Sequence, residues 1–366
     1  MTRQWYRDLF KLGPGPEPFA VTLRTAVAVG IPLIGYFLAG HPLAGVAGGA
    51  TALFVTLSDT GVSRSARAGT MTMAWLVIVI GGTIGDKFGH TMYAGEAVVL
   101  LAALVAGWVS GSHPAIATVA RFGALATAAG VGMQIADPHV YYALLAGGVT
   151  ALAAAFLVRK VFGIPVDRNA MDWHTAMHRA LAGADAGPRF ALCYAAAAAL
   201  ALLATSKLGV TNGYWATLTT MMVMRREGVV SFSLIVQYAI GTLLGVPIAD
   251  LLYHTFHQPL AIALLGTAAA ALTRVGLALN PALGFTGVTV FLLMIVELAR
   301  QAAGAQSHML SARLYDVAMG CAIALIATWL ASGRRRNPDV PAPLPSTEHA
   351  APVQSQIEEA SNSERN

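Results

Sequence analysis

The chain has 366 residues, of which 56% are apolar and only 11% are charged, and its formal net charge is +5. A soluble domain carries roughly 25% charged residues, so this sequence lacks the polar surface to cover a water-facing globule. The composition excludes an ordinary soluble protein and indicates a membrane protein. The basic residues of such a protein first report its orientation, so we expect no nucleic-acid partner.

Residues 1–18 form a basic and polar N-terminal segment, and the first apolar run is long enough to span a bilayer as an uncleaved helix. Apolar segments then follow one another along the chain. The first set comprises 19–40, 44–57, 66–85, 92–110, 114–134 and 139–162, and the second comprises 189–209, 213–224, 230–252, 258–275, 279–298 and 311–332.

Between the two sets, residues 163–188 form a linker that is long enough for one amphipathic helix but too short for a domain. Residues 333–366 are rich in Pro, Ser and Glu and poor in large apolar residues, which predicts a disordered tail. The sequence therefore predicts an all-α membrane protein with about twelve transmembrane helices, arranged as two six-helix repeats over 19–162 and 189–332.

The two sets of segments have similar sequence features in the same order. The stretch from Thr51 aligns with the stretch from Ala216, and Pro114 aligns with Pro281 at the start of each fifth helix. A Tyr-x4-Gly pattern begins at Tyr142 and again at Tyr315. Because each set has an even number of crossings, we expect the copies to be parallel, with a shared pathway between them.

The basic residues also predict the orientation of the chain. If the N-terminus is cytoplasmic and all twelve segments cross, most of the 23 basic residues fall on the cytoplasmic side, as the positive-inside rule requires. Both termini are then cytoplasmic. The segments 44–57 and 213–224 are short, and two hypotheses stay open for them: a discontinuous helix at a binding site, or an ordinary short tilted helix.

Ionisable residues inside a bilayer are costly, which makes each of them a candidate for function. Arg121 lies deep in its segment, and is either a cation in an anion pathway or the structural partner of a carboxylate such as Glu96 or of helix carbonyls. Arg313 and Asp316 lie three residues apart on one helix face. They form either a local ion pair at the interface or a charged vestibule with a proton-linked carboxylate.

Aromatic and hydroxyl side chains mark the short segment of the second set. Tyr214 and Trp215 predict either an aromatic belt or the wall of a site for a planar ring. Thr217, Thr219 and Thr220 favour close helix packing or a polar lining. The predicted pathway residues are thus Arg121, Tyr214, Trp215, Thr219, Arg313 and Asp316.

The sequence predicts no cofactor and no metal site. His174 and His178, like His254 and His257, have a spacing that suits metal binding, but neither pair has a third ligand nearby in sequence. No Walker loop, His-Glu-x-x-His or Gly-x-Ser-x-Gly motif occurs in the chain. These absences argue against familiar hydrolase chemistry and against ATP-driven transport. An enzyme needs a cluster of titratable groups at one depth, and this sequence scatters them.

Several stretches resemble the fusaric-acid-resistance-like family of bacterial inner-membrane proteins, which is related to aromatic acid exporters. They are GYWATLTTMMVMRREG from Gly213, the Gly-Thr-Leu-Leu-Gly step at Gly241, the run from Asn280, and the run Arg313–Gly320. The resemblance covers about residues 19–332 and is stronger in the second half. It implies a twelve-helix membrane domain, with a periplasmic adaptor as a partner of related exporters and a homo-oligomer in related plant channels.

From the residues and the resemblance together, the leading hypothesis is an inner-membrane transporter that exports small organic anions, such as aromatic carboxylates, driven by the proton gradient. A passive anion pathway is the first alternative. A non-transporting membrane subunit and an integral-membrane enzyme are alternatives of another class.

Overall fold

The computed structural model describes residues 12, 19–59, 64–133, 137–162, 177–178, 180–182, 187–208, 213–226, 228–302 and 309–332. In these ranges the chain forms twelve helices of ten residues or more and no strand. They are α1 Phe19–Leu38, α2 Pro42–Leu57, α3 Arg64–Gly89, α4 Met92–Val109, α5 Pro114–Met133, α6 His139–Phe162, α7 Pro188–Lys207, α8 Tyr214–Val223, α9 Gly228–Thr255, α10 Pro259–Leu279, α11 Pro281–Ala302 and α12 Met309–Ser332.

The helical body belongs to one compact unit, Met1–Ala331, and a second unit begins at Ser332. The predicted N-terminal segment (except Leu12), most of the predicted linker, and the predicted tail lie outside the described residues.

The lengths of the helices support a multi-pass membrane protein. Among the described helices, nine are long and apolar enough to cross a bilayer, while α2 and α4 are shorter apolar helices. The helix α8 has only 10 residues, so it rises about 15 Å, which is half the roughly 30 Å of a hydrocarbon core. The two segments predicted to be short are therefore short helices.

The surface of the bundle is apolar. Large side chains such as Leu101, Leu251 and Trp329 are more than 60% exposed, and many other Leu, Ile and Phe side chains are exposed with them. Soluble monomers rarely expose contiguous apolar patches of more than a few hundred Å². These side chains fit a lipid environment, which agrees with the composition of the chain.

Prolines fix where several helices begin. The helices α2, α5, α7, α10 and α11 all start at a proline. The ring presets a helical φ angle, and the missing N–H has no intrahelical acceptor in the first turn in any case. The predicted pair Pro114 and Pro281 opens α5 and α11, the fifth helix of each half.

Glycines allow the closest helix contacts. A Cβ atom at Gly85 of α3 would lie 2.2 Å from the Thr127 carbonyl oxygen of α5. A Cβ atom at Gly245 of α9 would lie 2.7 Å from the Thr289 Cβ of α11. The Gly-x3-Gly steps of the two halves thus serve the same purpose, which is to bring the third and fifth helices together.

Contacts between the halves occur in reciprocal pairs. The helix α4 packs on α7 and α10 packs on α1, so the fourth helix of each half contacts the first helix of the other. Likewise α5 packs on α8 and α11 on α2. Within the halves, α2 contacts α6, and α8 contacts α12, where Thr220 Oγ1 donates to the Gly320 carbonyl at 3.1 Å.

We term the end of the bundle where α1 finishes the upper end, and the opposite end the lower end. Short connections reverse the chain between neighbouring helices, so α5 finishes at the upper end. The Tyr214 ring packs on Gly132 near that end of α5, which places the start of α8 there as well. At the lower end, the start of α7 packs on Gly107 of α4.

Candidate functional site

A cavity of about 150 Å³ lies between the two halves. Its walls come mainly from α2 and α5 of the first half and from α8 and α11 of the second. Most of the lining is aliphatic or aromatic, for example Phe54, Phe122 and Leu125 on one side and Leu218 and Leu292 on the other. The cavity is therefore apolar over most of its surface.

Polar atoms of larger side chains enter the cavity from the second half. Tyr214, Trp215, Tyr238 and Arg313 all line it. The Arg313 guanidinium carbon lies 4.2 Å from the centre of the Trp215 ring, within the range of a cation–π contact. Arg313 Nη2 donates to the Tyr238 hydroxyl at 3.4 Å.

The guanidinium of Arg313 retains hydrogen-bonding capacity. The residue is 5% exposed, and its Nη1 is buried with no hydrogen-bond partner among the described residues. Asp316 is 1% exposed, and its Oδ1 likewise has no hydrogen-bond partner in the described part of the chain. Because the two residues lie three apart on α12, both face a small side pocket beside Trp215.

The start of α8 holds the aromatic wall in place. The rings of Tyr214 and Trp215 are stacked with centres 5.1 Å apart. A Cβ atom at Gly132 would lie 2.3 Å from the Tyr214 ring, so only glycine lets this ring approach α5 so closely. Together, these contacts fix the face of Trp215 under the guanidinium.

Four of the predicted pathway residues are thus brought together: Tyr214, Trp215, Arg313 and Asp316. Thr219 is buried but lies at the contact with α12, where a Cβ atom at Gly320 would be 2.7 Å from the Thr219 Cβ. Its hydroxyl has no hydrogen-bond partner in the described ranges. The structure therefore places Thr219 in helix packing rather than in the cavity wall.

Arg121 lies apart from this group. Its guanidinium lies beside the Tyr194 side chain of α7, and the Tyr194 hydroxyl donates to the Met221 carbonyl at 2.6 Å. Leu125, one turn further up α5, lines the cavity, but Arg121 does not. The structure therefore places Arg121 near the last turn of α8 and outside the cavity lining.

A comparison with known protein families matches the second half of the chain, which carries these polar groups. Residues 193–327 match the family described as fusaric acid resistance protein-like. No curated protein and no solved structure matches the chain.

The family match confirms the resemblance over the second half. The matched range extends from α7 into α12 and contains Tyr214, Trp215, Arg313 and Asp316. The fusaric acid resistance protein-like region thus supplies the polar groups of the cavity. The walls from α2 and α5 lie outside the matched range.

A second buried charge cluster lies at the lower end of the first half. Arg24 Nη1 donates to Asp59 Oδ2 at 2.5 Å, and Arg67 Nε donates to Asp59 Oδ1 at 2.8 Å. Arg274, from α10 of the fusaric acid resistance protein-like half, donates to the Thr56 carbonyl at 3.3 Å. The cluster therefore joins the two halves below the cavity.

Sequence reasoning missed the role of Asp59. The signal was present, because Asp59 is the single acidic residue between positions 18 and 85. A lone carboxylate next to an apolar helix, in a region where several arginines are predicted to lie, is expected to pair with them.

Proposed function

We propose that this chain is a transporter that moves small organic anions, with aromatic carboxylates as the substrate class, through the cavity between its halves. The observation that best supports this function is the buried guanidinium of Arg313, whose Nη1 has no hydrogen-bond partner among the described residues and which lies at a mostly apolar cavity. The family match and the apolar helices support a membrane transporter more generally.

The size and chemistry of the cavity suit an aromatic ring. An apolar protein cavity of about 150 Å³ is large enough to bind benzene. Binding sites for small molecules combine such apolar walls with a few polar groups that orient the ligand. Here the apolar walls would hold the aromatic ring of the substrate, and the polar groups would orient the substrate in the cavity.

The carboxylate of such a substrate would bind Arg313. A guanidinium matches a carboxylate with two parallel N–H donors, and a charge-assisted hydrogen bond is stronger than a neutral one. The contacts of Arg313 with Trp215 and Tyr238 hold the guanidinium in place before the substrate arrives. Little reorganisation would therefore be needed on binding.

We also propose that the twelve helices all cross the membrane and form two parallel six-helix repeats, with both termini cytoplasmic in a bacterial inner membrane. The reciprocal contacts of α4 with α7 and of α10 with α1 support this arrangement, because a two-fold axis produces each interface contact twice. The distribution of basic residues supports the orientation. The upper end is then periplasmic.

The direction of transport and its energy source are further parts of the proposal. We propose efflux coupled to protons, with Asp316 as the proton-carrying group beside the substrate. A passive anion pathway is the alternative, in which Asp316 has no coupling role. A periplasmic adaptor and a homo-oligomer stay predictions.

Transport by the full chain in proteoliposomes tests the proposal. The probe is isotopically labelled 4-hydroxybenzoate at pH 8, where the ionised form crosses lipid slowly, with protein-free liposomes as background. We expect Arg313→Ala to lower the initial rate about 10–100-fold, since a hydrogen bond to a charged group contributes about 1.5–3 kcal/mol. Equal rates for Arg313→Ala and the unmodified chain would overturn the proposal.

Two further variants make the result specific. Arg189→Ala is a matched control, because Arg189 is an exposed arginine that donates to the Leu330 carbonyl away from the cavity. It should leave the rate unchanged. Asp316→Asn tests coupling: the rate of the unmodified chain should rise with an imposed pH gradient, and that of the variant should not. A rate insensitive to the gradient would favour the passive pathway.

A further inference from the structure

A cluster of two histidines and one aspartate lies at the upper end of the first half, outside the cavity. His41 precedes α2, while Asp137 and His139 lie at the start of α6. His41 Nδ1 is 3.4 Å from Asp137 Oδ2, and His139 Nδ1 is 2.8 Å from Asp137 Oδ1. One ligand atom from each residue lies within 4.8 Å of the other two.

We propose that His41, Asp137 and His139 form a binding site for a divalent transition metal ion, with Zn²⁺ as the best-matched ion. Two imidazole nitrogens and one carboxylate oxygen are a donor set that zinc sites use. Three protein ligands leave the fourth tetrahedral position for water. This proposal is independent of the proposed transport function.

The distances fit such an ion. With metal–ligand bonds of about 2.0–2.2 Å, the ligand atoms of a tetrahedral site lie roughly 3.3 Å apart. His139 Nδ1 lies 2.8 Å from Asp137 Oδ1 and His41 Nδ1 lies 3.4 Å from Asp137 Oδ2, so each histidine nitrogen is near this separation from one carboxylate oxygen. All three ligand atoms lie within 4.8 Å of one another, so side-chain movements of up to about 1.5 Å would bring them to this spacing.

The backbone on both sides of the site is restrained. His41 precedes Pro42 and Asp137 precedes Pro138, and a residue before proline has limited backbone freedom. The His139 backbone N–H donates to Asp137 Oδ1 at 2.9 Å. This hydrogen bond is the main cause that lowers the pKa of Asp137.

Solvent can deliver an ion to the site. The side chains of His41, Asp137 and His139 are 35%, 27% and 45% exposed. The imidazole rings are stacked with centres 3.7 Å apart, which brings the two histidine side chains together beside Asp137.

The proposed metal site lies beside residues that line the cavity. Val140, which follows His139, lines the cavity, and so does Met133 at the end of α5. A bound ion would fasten the α1–α2 connection to the start of α6 beside these residues. Metal binding would then restrict movement at the upper end of the cavity.

Zinc binding by the full chain tests the proposal. The protein is purified in detergent, freed of its affinity tag, stripped with a chelator and titrated with Zn²⁺ by calorimetry at pH 7.5. We expect one saturable site per chain, and His41→Gln, Asp137→Asn and His139→Gln should each weaken binding by at least about tenfold. Zinc should also raise the Tm of the unmodified chain more than that of Asp137→Asn.

Matched controls make the outcome decisive. His254→Gln removes a histidine that contacts a single carboxylate, Asp250, at 3.1 Å, and it should leave the affinity unchanged. The double variant His174→Gln/His178→Gln removes the two histidines of the predicted linker and should also leave the affinity unchanged. The proposal is overturned if no saturable site exists, if Asp137→Asn and His139→Gln bind zinc like the unmodified chain, or if only the double variant loses binding.

Discussion

The second half of the chain has Trp215 and Arg313 at the cavity, where the first half has Ala50 and Val140. These pairs follow from the predicted register, in which Ala216 aligns with Thr51 and Tyr315 with Tyr142. All four residues line the cavity. In the proposed repeat, the two halves thus offer corresponding positions to the cavity but give it different chemistry.

At the compared positions of the lower end, the first half carries the buried charge and the second half does not. The first half places Asp59 between Arg24 and Arg67, whereas the same register gives Met224 in the second half. Glycines, prolines and small residues build similar helix packing in both halves. At the compared positions, a few substitutions thus give the lower ends of the two halves different charge.

The largest effect is expected from breaking the lower cluster with Asp59→Asn. This change leaves the buried guanidiniums of Arg24 and Arg67 without their carboxylate, which should lower the free energy of unfolding by about 3–5 kcal/mol. Unfolding in detergent measures it. Asp250→Asn, at an exposed carboxylate, is the control and should change stability by less than about 1 kcal/mol; equal losses would contradict the assigned role of Asp59.

The difference at the cavity can be removed by giving the first half an aromatic ring, with Ala50→Trp. The indole would occupy the cavity, and we expect it to weaken the binding of aromatic carboxylates more than about tenfold. Calorimetry on the detergent-solubilised chain measures the affinity. If the variant folds and binds these ligands with unchanged affinity, the ligand does not occupy this cavity.

The shared packing can be tested with Gly85→Ala and Gly245→Ala, which place a methyl group between the third and fifth helices of each half. Each should lower stability by about 1–3 kcal/mol. Gly85→Ala should cost more, because its Cβ would meet the Thr127 backbone oxygen at 2.2 Å, whereas that of Gly245 meets the Thr289 side chain at 2.7 Å.

Gly35→Ala is the control for these two changes. A Cβ atom at Gly35 has no neighbour within 4 Å, and alanine in a helix is more favourable than glycine by about 0.5–1 kcal/mol. The thermal midpoint of this variant should therefore stay level or rise. A similar fall for all three variants would mean that the close contacts do not limit stability.

The smallest effect is expected from Thr220→Val, which makes α8 resemble α2, where the register places Val55. The substitution removes the hydrogen bond to the Gly320 carbonyl and keeps the side-chain shape. The loss should be about 0.5–1.5 kcal/mol, the usual net contribution of a neutral hydrogen bond. A much larger fall in the thermal midpoint would show that this bond holds α12 in place.

Features set by local chemistry could be predicted from the sequence. The lengths of the apolar segments predicted the helices, and the prolines predicted where α5 and α11 start. The Gly-x3-Gly steps predicted close helix packing, which the structure shows between the third and fifth helices of each half. The short segments were recognised as short, and the aromatic pair and the Arg313–Asp316 pair proved to lie together.

The direction in which a side chain faces could not be predicted in the same way. Both a protein neighbour and lipid are apolar, so the helices lack the polar face that would orient them. Trp215 and Thr219 lie one turn apart, yet Trp215 lines the cavity and Thr219 packs on Gly320. The group of His41, Asp137 and His139 escaped notice because its members come from connections far apart in the chain.

The central claim is that the guanidinium of Arg313 binds the carboxylate of a ring held in the cavity. Calorimetry with benzoate and benzamide, which share a ring and differ in charge, tests it most directly. We predict that the unmodified chain prefers benzoate by at least about tenfold and that Arg313→Ala binds both ligands with similar affinity. Retention of the preference for benzoate in Arg313→Ala would contradict the account.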